Sequence, residues 1–132
     1  MKIFRLVGYD GTQEAIKALD LAVRHAKAFG AKVYVLTSRS KGTDEELPDI
    51  ERDEERLKNV KKELEEAGVE CETHLMIRGI TPAEDLLDFA EDHGVDEIIV
   101  GIAKKSRVGK LIFGSNAQYV ILHAPCPVVT VQ

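Results

Sequence analysis

The sequence predicts an α/β fold built on a parallel sheet. Three observations carry this. Short apolar runs alternate along the chain with segments of helical periodicity, and glycine-containing turns of a few residues separate them. The length, 132 residues, suits one compact domain spanning 1–132, since domains most often run to about 100–150 residues. Strands that alternate with helices in this way pair in parallel through right-handed crossovers, with helices covering both faces of the sheet in a Rossmann-like layering.

Each element has its own signal. Ile3-Phe4-Arg5-Leu6-Val7, closed by Gly8 and Asp10, reads as a buried strand. Ala15, Ile16, Leu19, Val23 and Ala26 then recur at three- and four-residue steps up to Gly30, the pattern of an amphipathic helix with a glycine C-cap. Lys32 to Thr37 forms a second strand. A polar segment leads from Ser38 to about Pro48 and into a helix whose Ile50, Leu57, Val60, Leu64 and Ala67 share a face before Gly68. Val69 to about Ile77 is the third strand. Thr81-Pro82-Ala83-Glu84 combines an N-cap threonine, proline at the first helical position and glutamate at the third, opening a helix that Leu86, Leu87 and Ala90 bury and Gly94 ends. Asp96 to Val100 is the fourth strand and runs straight into Gly101. Ser115-Asn116-Ala117-Gln118 has the S-x-x-Q form of a capping box ahead of Val120, Ile121 and Leu122, and Val128 to Val131 supplies a fifth strand.

Composition narrows the function classes. An apolar fraction of 44% with 31% charged residues fits a soluble globular protein, and no run approaches the roughly 20 apolar residues of a membrane span. The N-terminus lacks the pattern of a secretory signal, so a cytoplasmic protein is expected. Cys71 and Cys126 form no C-x-x-C and read as small buried residues, and the four histidines lack metal-ligand spacing. The acidic run from Asp44 to Glu55 reads as a solvated loop and helix face.

Charge is distributed unevenly. Residues 1–100 hold 14 Lys and Arg against 23 Asp and Glu, whereas residues 101–132 hold four cations and no carboxylate, so −9 is followed by +4. An anionic partner is expected to meet the C-terminal third. There Gly101-Ile-Ala-Lys-Lys-Ser-Arg-Val-Gly-Lys-Leu-Ile-Phe-Gly114 connects a strand exit to a helix start. The first turn at Ser115, Asn116 and Ala117 offers backbone N–H groups to a phosphate, Gly114 permits close approach, and Lys104, Lys105, Arg107 and Lys110 offer countercharge. The same residues also fit a simple turn, a simple cap and cations that balance an acidic surface. A Walker A loop is excluded because Lys104 stands at its first glycine and Leu111 at its Ser or Thr. The first turn, Gly8-Tyr9-Asp10-Gly11-Thr12, is not a G-x-G-x-x-G dinucleotide fingerprint either.

Over essentially its whole length the chain resembles the universal stress proteins. Val7-Gly8-Tyr9-Asp10-Gly11-Thr12 matches the family's first strand and aspartate. Gly101, Gly114 and Ser115 match its G-x-x-G, nine residues, G-[ST] motif, with Lys104 in the place of the second glycine. The resemblance implies a sheet of order 3-2-1-4-5 and ATP or another adenine nucleotide beyond strands one and four, with Mg²⁺ as a candidate companion. By position, Asp10 would contact adenine, Tyr9 and Ser38 would line the base pocket, Val100 and Gly101 would lie near base and ribose, and Gly114, Ser115 and Asn116 would hold phosphates. Lys104 would either pair with the phosphates or fill the space the glycine leaves. Val128, Val129 and Val131 are the implied homodimer seam, the alternative being an ordinary sheet edge flanked by prolines.

Three functional classes follow. The foremost is a nucleotide-binding regulator with a role in stress response and an unidentified regulatory protein partner. The second is a dimeric interaction module that binds no nucleotide. A weak ATPase ranks third, because no nucleophile, base and orienting group appear together. Four cations without interleaved aromatic residues make a small footprint for nucleic acid, so that partner is not expected.

Overall fold

A computed structural model describes residues 2–41, 46–103, 105–107, 110–112 and 115–132. The elements are β1 (Phe4–Gly8), α1 (Gln13–Phe29), β2 (Lys32–Arg39), α2 (Leu47–Glu66), β3 (Cys71–Ile77), α3 (Pro82–Asp92), β4 (Glu97–Gly101), β5 (Lys105–Arg107), β6 (Lys110–Ile112), α4 (Ser115–His123) and β7 (Val128–Val131). Five strands form one sheet of order β3-β2-β1-β4-β7, and every neighbouring pair is parallel. This is the expected 3-2-1-4-5 order, with β7 as the fifth strand.

Both faces of the sheet are covered, which is why its central strands read as continuous apolar runs rather than alternating ones. Leu6 and Val7, adjacent in β1, are both fully buried on opposite faces. Val7, Val35 and Ile99 pack with α1 and α2 through Ala18, Leu19, Ala22, Leu57, Val60 and Leu64. Leu6, Leu36, Ile98 and Val100 pack with α3 and α4 through Leu86, Phe89, Ala90 and Val120.

The helix ends follow the sequence signals. Thr12 caps α1 by accepting from the Ala15 N–H at 3.2 Å, and Gly30 ends that helix at φ +67°, in the left-handed region that glycine enters freely. Thr81 and Glu84 form the complete capping box of α3.

Five local expectations are corrected. The buried face of α1 runs through Ala15, Ala18, Leu19, Ala22 and Ala26, while Ile16 is exposed, because small residues bring the helix close to the sheet. Ala67, grouped with the buried face of α2, is exposed beyond the helix end. Asp53, within the acidic run, is buried: both Arg39 and Arg56 pair with it, so that helix face is not wholly solvated. Finally, the stretch after Gly101 contains an antiparallel pair, β5 with β6, whose three-residue strands are too short to leave a periodicity in sequence. Ser115 is already the first helical residue of α4, so the helix starts a residue earlier than a cap at Ser115 implies.

Candidate functional site

The connection leaving β1 runs to β2 on one side, whereas the connection leaving β3 returns across the sheet to β4 on the other side of β1. The strand order therefore reverses between β1 and β4, where open α/β sheets form a crevice beyond their strand ends. A cavity of about 230 Å³ lies there, lined by Gly8 and Tyr9 from β1 and its exit, Val100 and Gly101 from β4, and Leu36 and Ser38 from β2. Pro82, Ala83 and Leu86 of α3 and Asn116, Ala117 and Val120 of α4 form the facing wall, with Asp10 and Ala15 at the α1 side. That volume is close to the lower end of small-ligand clefts, about 300–1,000 Å³.

Local bonds explain how each polar residue is held. The Asp10 carboxylate accepts through Oδ1 from the Thr12 N–H at 3.0 Å and from the Thr12 hydroxyl at 2.7 Å. Thr12 thus gives its proton to Asp10 and keeps a lone pair for the Ala15 N–H, so one aspartate fixes both the turn and the cap of α1. The Asp10 carbonyl accepts from Arg56 Nη1 at 3.2 Å, and Arg56 also pairs with the buried Asp53 at 3.2 Å. Gly11 between them has φ +79°.

Tyr9 is 8% exposed, and its ring belongs to the cluster under α1 and α2. Its N–H donates to the Leu36 carbonyl at 2.8 Å and its carbonyl accepts from the Thr37 hydroxyl at 2.6 Å, so β2 holds the exit of β1 at both polar groups. Burial raises the Tyr9 phenol above its usual range, an effect the nearby Arg56 charge partly offsets.

Ser38 donates to Asp85 Oδ2 at 2.6 Å. Asp85, in the first turns of α3, is fully buried, and its other oxygen faces Arg78 Nε at 3.3 Å; Arg78 in turn donates to Asp88 at 3.1 Å. Asn116 accepts through Oδ1 from the Ala83 N–H at 3.3 Å, tying α4 to the start of α3.

Gly101 has a physical requirement of its own. A Cβ there would stand 2.2 Å from the Glu14 carbonyl carbon and 2.3 Å from its oxygen, so the first turn of α1 crosses directly over the end of β4. The glycine that the sequence offered to a ribose or base is demanded first by this helix–strand contact. A Cβ at Gly8 would meet Leu86 at 3.5 Å and Val100 at 3.7 Å, ordinary contacts with two cavity walls.

Of the anticipated site residues, Tyr9, Asp10, Ser38, Val100, Gly101 and Asn116 converge on the cavity. Ser115 opens α4 and is exposed, without lining the cavity. Lys104 and Gly114 lie outside the described residues. Sequence reasoning gave Thr37 only as a strand end at the crevice and missed Arg56 and Asp85. Asp85 had a readable signal, since it stands four residues before Phe89 on the buried side of α3. Among the described residues no group of three or more His, Cys, Asp or Glu is placed to hold a metal ion, and no helix is long and apolar enough to cross a membrane.

The model of the universal stress protein family matches residues 5–132. The chain belongs to that family. A universal stress protein of Methanocaldococcus jannaschii is 34% identical over 93% of this chain and 78% of its own length. A universal stress protein structure from Archaeoglobus fulgidus superposes with a TM-score of 0.82 at 35% identity, covering 100% of this chain and 93% of that one. A second structure from Archaeoglobus fulgidus, of a universal stress protein in complex with dAMP, has a TM-score of 0.78 at 30% identity and covers 100% and 98% of the two chains. This universal stress protein thus shares its fold with relatives over nearly its full length, and one of those relatives is in complex with dAMP.

Proposed function

We propose that this universal stress protein binds an adenine nucleotide in the cavity beyond β1 and β4 and acts as a regulator in stress response. One observation carries the reading: six residues that the family resemblance implies, from β2, β4, α4 and the turn after β1, line one cavity at the reversal of strand order. The dAMP complex of the Archaeoglobus fulgidus relative supports the choice of nucleotide. Leu36, Leu86, Val100 and Val120 give the cavity an apolar interior suited to a flat base, and Asp10 and Asn116 stand at its polar side. Asp10 uses Oδ1 for Thr12, and its second oxygen is the acceptor for the adenosine moiety. The start of α4 faces the phosphates, with Ser115 and Asn116 in its first turn, and Gly114 and Lys104 contribute by sequence position. ATP, with or without Mg²⁺, is the expected physiological ligand, and the cytoplasm the expected setting.

Isothermal calorimetry with AMP and with ATP plus Mg²⁺ tests this. Saturable binding is expected, lost in Gly8→Val with the circular dichroism spectrum preserved, because the added methyls project toward Leu86 and Val100. No heat with either nucleotide, and none released on denaturing the purified protein, would overturn the reading.

The same regulator is proposed to work as a homodimer. β7 is an edge of the sheet, carrying Val128, Val129 and Val131, and on the preceding α4 Tyr119, Ile121 and Leu122 are exposed. A free edge beside exposed apolar side chains invites pairing with a second copy. Sedimentation equilibrium is expected to give a dimer mass, and Thr130→Pro, which removes an edge N–H, a monomer. A monomeric wild type would leave the interaction reading without support.

A further inference from the structure

The proton of the Ser38 hydroxyl is already committed. Asp85 is fully buried in the first turns of α3, and its Oδ1 faces the Arg78 guanidinium at 3.3 Å. The 2.6 Å contact between Ser38 Oγ and Asp85 Oδ2 is a bond donated by the serine hydroxyl. Ser38, partly buried, lines the cavity together with Leu36 and Leu86, and its hydroxyl is bonded to Asp85. What the hydroxyl can present to a ligand is lone pairs alone.

We infer that Ser38, with its proton held by Asp85, selects purines that carry an amino group at C6. This inference rests on the nucleotide reading and adds the rule by which the site chooses its base. An exocyclic amino group has two N–H donors, one of which meets the fixed acceptor. A keto oxygen at the same ring position would set lone pairs against lone pairs. Asp85 is a positioning residue: it touches no ligand and acts through the direction of the serine proton. Arg78, half-exposed, and Asp88 complete the chain that holds the carboxylate in place.

The test is the ratio of affinities, measured by calorimetry on the full chain, for AMP and for purine riboside 5′-monophosphate, which lacks only the amino group. The wild type is expected to favour AMP about tenfold, the size of one lost hydrogen bond. Ser38→Ala brings the ratio close to one, and Ser38→Thr restores it. In Asp85→Asn the side-chain amide can donate to Ser38 and release its proton, so preference moves from AMP toward IMP; a purely structural loss would weaken both alike. Should Asp85→Asn fail to fold, the two Ser38 variants decide. Wild-type protein that binds both ligands equally, or Ser38→Ala with an unchanged ratio, overturns the inference while leaving nucleotide binding intact. Wild-type protein that binds neither removes the nucleotide reading and the inference with it.

Discussion

Two glycines at the site show how differently one residue type is used. At Gly101 the limit is backbone: Glu14 and Ala15 leave no room for a methyl, and neither can move without shifting α1. Gly101→Ala is expected to destabilise by about 1–3 kcal/mol, the usual cost of overpacking, seen as a lower midpoint in thermal unfolding. At Gly8 the neighbours are side-chain methyls at ordinary distance, so Gly8→Ala should leave the midpoint within about 1 kcal/mol of wild type. Equal losses at both positions would contradict the assignment of Gly101 to the helix–strand contact. Titration gives a second residue-level prediction. Burial raises the Tyr9 phenol and the Cys71 and Cys126 thiols. Groups that hold their protons more tightly when folded contribute stability that is complete below their unfolded values and lost as pH rises through the folded ones. Denaturant midpoints should therefore fall above about pH 9 to 10, and Tyr9→Phe should reduce the tyrosine's part of that fall. A midpoint flat through the alkaline range would rule the mechanism out.

At the scale of elements, the caps were the most legible part of the sequence because each is a local bond between residues three or four apart. Thr81→Ala removes an N-cap acceptor and half of a reciprocal capping box, and is expected to cost about 1 kcal/mol in urea denaturation. Gly30→Ala meets no atom within 4 Å, so only its left-handed backbone is penalised, again by about 1 kcal/mol. Elements that lacked such local bonds were read less well. The buried face of α1 was misplaced by its alanines, which a hydrophobic pattern undervalues although they are what lets the helix lie close enough to touch Gly101. The β5–β6 pair escaped notice because three residues carry no period.

For the whole molecule, the consequence of the proposed site is linkage between ligand and fold. A nucleotide at one hundred times its dissociation constant should stabilise the native state by about 2.7 kcal/mol, read as a rise in unfolding midpoint that Gly8→Val abolishes. The core on the other side of that balance is ordinary: Leu6→Ala, at a fully buried position, is expected to cost about 2–5 kcal/mol. The strand order itself was reached through family resemblance, whereas the alternation of strands and helices was legible from the residues.

The chain's sequence by itself determined the four helices and the five strands of the main sheet, the caps of α1 and α3 and the strand ends that meet at the crevice, because hydrophobic period, capping bonds and strand-end glycines are all encoded within a few positions. Only the tertiary structure decided what those residues are bound to. Ser38 meets Asp85, Arg56 meets both Asp10 and Asp53, and Glu14 closes over Gly101 through contacts between residues distant in sequence. Such pairings arise when crossovers stack separate elements on one sheet, and no local pattern records which side chains then share a buried proton.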